Sequence, residues 1–477
     1  MDKYIKIAYI GGGSKQWARV FMTDLALTSG LSGEIALYDI DITSAIKNQK
    51  IGEIINKNPK ALSKFTYKVY DNAPDALKDA TFVVMSILPG TFDEMESDVH
   101  APEEYGVYQS VGDTVGPGGV LRAMRTVPIY EEYAKLIKEF SPNAWVINFT
   151  NPMNICTKTL YDCFPEIKAF GCCHEVFNAQ DFLTCVLKEE TGIEVKRNEL
   201  ITDASGINHF TWISEAKYKD IDVLKLIPSF KEKFFEEGYS EHGDRFSFKT
   251  DPFSYGNKVK MDLYEKYNVL AAAGDRHLVE FIDGRKYLSD KTYPEKWAFS
   301  LTTVDYRRAL QEERINETNQ YVSGEKEFIL EKSKEEAVEL MKAILGFKDI
   351  VSNVNLPNIG QVPQLKLGSI VESNCYFKLN EVKPIISKPL PDEVASMIRL
   401  NLENIDQTYL GIKSRNLNLI FEAFKAEPLL IRLSEEEKYK LFKKMCYNTR
   451  KYLDEYFDLE ALFKILCVLC FFIIIFI

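Results

Sequence analysis

The order of apolar and polar segments in this chain predicts a two-domain α/β protein whose N-terminal part is a doubly wound parallel sheet. Three observations carry that prediction. Short continuous apolar runs, suited to strands buried on both faces, alternate with helix-period segments over the first 170 residues. A run of three glycines, Gly11-Gly12-Gly13, stands between the first apolar run and the first helical segment. Polar residues crowd the ends of the later runs, which is where sheets of this kind bind ligands.

Each element follows from its residues. Ile5-Lys6-Ile7-Ala8-Tyr9-Ile10 is a short strand, residues 15–27 have helical spacing, and Glu34-Ile35-Ala36-Leu37-Tyr38-Asp39 is a second strand ending in a carboxylate. Residues 81–86 and 145–149 are further buried strands. Between them Pro128 precedes Ile129, Tyr130, Tyr133, Leu136 and Ile137, which predicts a helix with proline in its first turn. Beyond about residue 195 the pattern changes to long charged helices, for example 221–237 and 332–344. Strand character returns at Ile370-Val371-Glu372 and helices run from 392 to 463. The expected division is a nucleotide-binding domain over 1–195, a substrate domain over 196–463 and an apolar tail over 464–477.

Composition narrows the partners. The chain has 477 residues, 46% hydrophobic and 27% charged, as an ordinary globular protein does. Its net charge of -11 disfavours nucleic acid and anionic membrane surfaces, both polyanionic, so small molecules are the expected partners. Nine cysteines are too sparse for a disulfide scaffold, and the first strand begins too early to leave room for a signal peptide, so a cytoplasmic location is expected. The uninterrupted apolar end from Ile465 to Ile477 is shorter than the roughly 17–25 residues a membrane-crossing helix needs.

The glycines after the first strand allow a backbone to approach a pyrophosphate at a helix N-terminus, so Gly11, Gly12, Gly13 and Ser14 are the candidate nucleotide loop. The dinucleotide fingerprint is incomplete, because its third glycine position holds Gln16. Asp39, ending the second strand, is placed to accept ribose hydroxyls, which favours NAD+ over its 2′-phosphorylated form. Four later loops carry the polar density. Ser110 to Gly119 reads as a mobile or substrate-hugging glycine loop; in Asn148-Phe149-Thr150-Asn151-Pro152, Asn151 is a natural helix cap with Pro152 at the first helical position. The other two are Phe170-Gly171-Cys172-Cys173-His174-Glu175-Val176 and Gly206-Ile207-Asn208-His209. Sulfur plus imidazole nitrogen is what a borderline transition metal selects, so Cys173 and His209 are the candidate metal ligands.

Together, the glycine run, Asn151-Pro152, Cys173-His174-Glu175-Val176 and Asn208-His209 resemble glycoside hydrolase family 4, the NAD- and divalent-metal-dependent glycosidases. Asn358-Ile359-Gly360, Val371-Glu372 and Ala423 to Leu429 resemble the family's C-terminal signatures. The resemblance spans roughly 4–455. It implies a Rossmann-type N-terminal domain, a C-terminal α/β (α+β) domain in the manner of lactate and malate dehydrogenases, and Mn2+ held at Cys173 and His209. It also implies a mechanism outside the two-carboxylate route: NAD+ takes hydride from C3 of the sugar, a base removes the acidified C2 proton while the metal stabilises the enediolate, and the aglycone leaves. Water then adds at C1 and the hydride returns.

By the same resemblance Asp275 is the expected C2 base, with Tyr264 and Tyr267 in reserve, and His174 the leaving-group acid. Asn151 and Asn208 would bind sugar hydroxyls. Residues 87–90 carry no cation for a sugar 6-phosphate, and the Cys-His-Glu-Val form resembles the α-galacturonidase branch, so a uronate carboxylate would be paired by Arg122, Arg125 or Arg276. Self-association into a homo-oligomer is common in the family. The sequence leaves open α-glucosidase, α-galactosidase and α-glucuronidase within the family, and outside it a 2-hydroxy-acid dehydrogenase or an NAD sensor without turnover.

Overall fold

The structure, a computed structural model, describes residues 2–241, 243, 247–460 and 462. Its frame is a sheet containing β1 (Lys3–Ile10), β2 (Leu31–Tyr38), β3 (Lys64–Tyr70), β4 (Phe82–Met85), β5 (Trp145–Asn148) and β6 (Lys168–Gly171), all parallel, in the order β3-β2-β1-β4-β5-β6. This is the doubly wound dinucleotide-binding order, and its reversal between β1 and β4 opens the crevice where such folds take a nucleotide.

The sheet continues past β6. The later strands β7 (Ile201–Ile207), β8 (Phe210–Tyr218), β9 (Ile221–Asp222), β10 (Leu270–Ala271), β11 (Ile350–Pro357), β12 (Ile370–Lys378) and β13 (Glu381–Pro384) extend it in antiparallel fashion, with β11 laid on β6 through Asn355 and Gly171. The path runs β6-β11-β12-β7-β8-β10, with β13 on β12 and β9 on β8. No break in the sheet falls near residue 195. The second half also covers the first on one face, where Leu340, Met341 and Ile344 are buried in one core with Ile7, Ile35 and Leu37; the other face is covered by the first half's own Tyr130, Ile137 and Leu160.

Several elements differ from their sequence pattern. The first helix is Trp17–Ala26 rather than 15–27, because the Ser14 hydroxyl accepts from the Trp17 N–H and the glycine turn uses the residues before it. Pro128 lies inside the helix Gly116–Phe140 instead of opening one; the missing hydrogen bond is offset by a face fully buried at Leu121, Met124, Val127, Tyr130 and Ile137. The end of the expected glycine loop is therefore the start of this helix. There a Cβ on Gly118 would stand 2.6 Å from the Gly112 carbonyl, so the glycine serves close packing rather than mobility. Residues 221–237 form β9, a 3-10 turn and the helix Ile227–Phe234. Strands β7, β8 and β11 were not legible as such. The apolar tail 464–477 lies outside the described residues.

Candidate active site

The nucleotide loop sits at the β1/β4 crevice. Gly11 and Gly12 both donate their N–H to the Tyr38 carbonyl at 2.9 Å, and Gly13 N–H donates to Asp39 Oδ2 at 2.8 Å. Gly11 has φ +93°, and a Cβ there would stand 2.0 Å from the Ser86 carbonyl oxygen, so only glycine lets the turn close onto the end of β4. Asp39 thus fastens the loop to the end of β2, while its Oδ1 accepts from the Asp41 N–H at 2.9 Å. Beside the loop Trp17 stacks on Phe149 with ring centroids 6.0 Å apart and meets the His174 ring at 5.9 Å.

Across from it three buried or half-buried groups converge: Asp113, His209 and His277 offer ligand atoms that all lie within 4.8 Å of one another. His209 is the second residue of the two-residue turn between β7 and β8 and has φ +64°, a left-handed conformation that costs a non-glycine residue on the order of 1 kcal/mol or more. The strained turn aims the ring into the cluster. Thr114 Oγ1 donates to Asp113 Oδ1 at 2.7 Å and lies 3.0 Å from His209 Nδ1. Since that hydroxyl proton is already given to Asp113, Nδ1–H donates to Thr114 and Nε2 keeps its lone pair.

Charge is arranged to suit. Burial lowers His209 below the ordinary imidazole range against the pull of Glu175 and Asp113. His277 is held well below it by burial, with His209 and Arg276 beside it opposing any further positive charge. Burial pushes Asp113 up, but Arg122, His209 and Arg307 outweigh it and hold the carboxyl below its usual value. Two neutral imidazoles and a carboxylate are a donor set that Mn2+ accepts, so the residues present fit a divalent ion. Asn208 adds a second sign of a missing partner: its buried Oδ1 has no hydrogen bond, while its Nδ2 donates to Asn151 Oδ1 at 3.3 Å.

Cys173 is buried and is not among the three grouped atoms. It shares Glu175 as an electrostatic neighbour with His209, and burial together with the Glu372 and Glu175 charges pushes its thiol well up. Glu175 opens the helix Glu175–Thr191 and accepts the Gly274 N–H at 2.5 Å. Burial works against its charge, but His174, Arg276 and His209 keep it below the carboxylate range. Each His174 nitrogen faces a carboxylate, Nδ1 at 3.2 Å from Glu335 and Nε2 at 3.6 Å from Glu175. Burial lowers its pKa, and the two carboxylates overcome that and raise it.

Asp275 is fully buried, its two oxygens accepting the Val259 and Lys260 N–H groups at 3.1 Å at the start of the helix Lys258–Tyr267. Burial pushes its carboxyl up to about 7 in spite of Lys260. Tyr264 donates to the Leu224 carbonyl and Tyr267 to the Met397 sulfur, so both reserve hydroxyls are engaged elsewhere. Tyr255, packed on Gly274, has a buried hydroxyl without a partner among the described residues. Asn151 accepts Arg122 Nε–H on its carbonyl at 3.0 Å, and the Asn151–Pro152 bond is cis; the following helix, Met153–Cys163, starts one residue beyond Pro152. Arg125 is wholly taken up by Asp98, Pro89 and Leu121 and holds the fold rather than a ligand.

Asp113 and His277 were passed over although each stood beside a quoted residue. Their signal was rarity: the chain has five histidines, and three of them, His174, His209 and His277, meet around Glu175. Asp113 is the acid of the glycine loop, and Glu280 shapes that loop by accepting the Val111 and Gly112 N–H groups at 2.8 and 2.9 Å.

Comparison with known proteins supplies the relatives of the whole chain. The model of the family 4 glycosyl hydrolases matches residues 6–189, and that of the family 4 glycosyl hydrolase C-terminal domain matches 204–430. An α-galacturonidase of Thermoanaerobacter italicus is 49% identical over 94% of this chain and 97% of its own length. One from Bacillus subtilis is 42% identical over 92% and 96%. Among solved structures, the Bacillus subtilis lplD protein superposes with a TM-score of 0.87 at 41% identity, covering 93% of this chain and all of that one.

Proposed function

The chain belongs to family 4 of the glycosyl hydrolases, and on that footing we propose that it is an α-galacturonidase releasing galacturonic acid from short pectin-derived oligosaccharides, with NAD+ and Mn2+ or a similar divalent metal as cofactors. The observation that carries the reading is the meeting of Asp113, His209 and His277 in a chain so close to α-galacturonidases over nearly its whole length. Membership in the family sets the dehydrogenase alternative aside.

In this reading Gly11 to Ser14 and Asp39 would hold NAD+, and Asp113, His209 and His277 would hold the metal, with Cys173, the ligand expected from the sequence, as a further donor. Bound, these groups supply a reversible hydride acceptor and positive charge beside the sugar hydroxyls. The chain's residues do the rest. Asn151 and Asn208 orient those hydroxyls, the orphaned Asn208 Oδ1 accepting one of them. Asp275, with a carboxyl raised toward neutrality, takes the C2 proton, and His174, kept protonated by Glu335 and Glu175, gives one to the departing oxygen. Among the described residues no helix is long and apolar enough to cross a membrane. A cytoplasmic, self-associating enzyme fits the reading.

The test is digalacturonic acid incubated with NAD+, Mn2+ and a thiol reductant in deuterated water. Galacturonic acid carrying deuterium at C2, formed without net NADH, is the expected product. Product without label would replace the elimination route by direct hydrolysis, and no product would remove the substrate assignment.

A further inference from the structure

Three guanidiniums, Arg122, Arg276 and Arg307, are electrostatic neighbours of one another beside Asp113, and they are unequally provided for. Arg122 donates Nε–H to the Asn151 carbonyl. Arg276 is 7% exposed; its Nη1 reaches Thr302 Oγ1 at 3.2 Å and its guanidinium lies 4.7 Å over the Phe253 ring, but its buried Nε has no partner. Arg307, near the start of the helix Val304–Ser323, has a buried Nε that is also unpartnered, and among the described residues its side chain makes no hydrogen bond or ion pair. Arg125 shows the contrast, since each of its three nitrogens has an acceptor.

The two orphaned arginines are held by one loop. Ser110 donates its hydroxyl to the Arg276 carbonyl, and its own carbonyl accepts the Thr302 N–H at 2.8 Å, two residues before the helix that carries Arg307. The charged groups acting on Arg307 are Asp113, Arg276, Arg122 and Glu280. Among the described residues neither acid hydrogen-bonds or ion-pairs with the Arg307 side chain, so its guanidinium keeps donors to offer. A buried guanidinium without an acceptor is costly, and a planar monoanion with two oxygens relieves two of them at once.

We propose that Arg276 and Arg307 together bind the C5 carboxylate of the galacturonosyl unit, Arg307 setting the preference for a uronate over the neutral hexose. This rests on the α-galacturonidase reading. A CH2OH group in the same place brings no charge and one oxygen, which leaves a guanidinium orphaned. Arg307 touches substrate but no reacting atom, so it acts on specificity rather than on the proton transfers.

The experiment compares kcat/KM for digalacturonic acid and for p-nitrophenyl α-galactopyranoside in the wild type, Arg307→Met, Arg307→Lys and Arg276→Met, each checked for folding by thermal unfolding. Arg307→Met should cut the galacturonide-to-galactoside ratio by roughly 10²-fold, mainly through KM for the galacturonide, and Arg307→Lys should recover only part of it because an ammonium lacks the fork. An unchanged ratio in Arg307→Met overturns the assignment while leaving the enzyme's activity as proposed. A wild type that ignores galacturonides and turns over a neutral glycoside overturns the substrate reading itself. Should a variant be silent on both substrates, calorimetric binding of free galacturonic acid and of galactose, with NAD+ and Mn2+ present, decides: equal affinities in Arg307→Met support the proposal, and a retained galacturonate preference sinks it.

Discussion

The His209 and His277 rings lie 3.9 Å apart, centroid to centroid, tilted by 35°. Two imidazoles at that distance cannot both carry charge without strong repulsion, and burial already lowers the pKa of each. They are two neutral nitrogen donors facing Asp113.

Metal binding should therefore stabilise the protein and depend on this trio. Mn2+ at 100 times its Kd adds about 2.7 kcal/mol to unfolding in a one-site system. His209→Ala, His277→Ala and Asp113→Asn should lose most of that rise in thermal melts. Thr114→Val, which frees the His209 tautomer, should weaken Mn2+ roughly 10–100-fold. Because both imidazoles stay neutral below the usual histidine range, the Mn2+ effect should persist on acidification past about pH 6.5. Cys173→Ser should abolish Mn2+-dependent turnover while NAD+ binding survives. An undiminished Mn2+ shift in His277→Ala would exclude that residue as a ligand.

The base is tested by replacing one oxygen. Asp275→Asn should lower kcat by roughly the 10²–10⁴ expected on losing a general base, and deuterium exchange at C2 should slow in parallel. If kcat stays near wild type while unfolding comes at lower temperature, Asp275 only caps the helix at Val259 and Lys260, and Tyr255→Phe becomes the variant that stops exchange.

For the acid, the pH profile is the readout. Glu335 lies 3.2 Å from His174 Nδ1 and helps raise its pKa. A general acid acts only while protonated, so the alkaline limb of kcat against pH follows that pKa. Glu335→Gln should move this limb to lower pH. A limb that does not move would take the role away from His174.

Glu427 gives a stability test away from the reacting groups. Its oxygens accept the Gly116 N–H at 2.7 Å and the Asn404 amide at 2.6 Å, and burial pushes its carboxyl up to about 7. Its folded pKa lies above the unfolded value, so its contribution is fully present below the unfolded pKa of about 4.3 and is lost as pH rises through about 7. At 1.36 kcal/mol per unit the swing is on the order of 3 kcal/mol. Denaturant titrations of Glu427→Gln across this window should show a smaller decline than wild type. An equal decline would mean the carboxyl titrates normally.

Of the parallel strands, β1, β2, β4 and β5 were legible as continuous apolar runs, Phe82 to Met85 being apolar without interruption and flanked by turns, whereas β3, with one face exposed, and the short β6 were not. In the antiparallel half only the start of β12 at Ile370-Val371-Glu372 was legible, because inner positions hold polar residues that bond across the strands. In β11 and β12, Asn353 pairs with Asn374 and Asn355 with Glu372, so neither strand alternates between apolar and polar. Pro128 misled because a proline within a deeply buried helix looks the same in sequence as one that starts a helix. At the site, His209 could be seen through its neighbour Asn208 and the turn. Arg307 could not, since a charged residue near a helix start is usually solvated, and only its missing partners set it apart.

The bond from Glu427 to Gly116 also has a consequence for the order in which the enzyme can be made. Strands β1 to β6 are complete once residue 171 has left the ribosome, whereas Leu340, Met341 and Ile344, which cover one of their faces, come later. The helix that follows Asp113 gains its carboxylate anchor only 311 residues after Gly116 has been translated. A chain ended before residue 427 has all the strands of the nucleotide crevice yet lacks the carboxylate that pins the sugar-cleaving loop, so the two parts of the site depend on distant stretches of the translated chain.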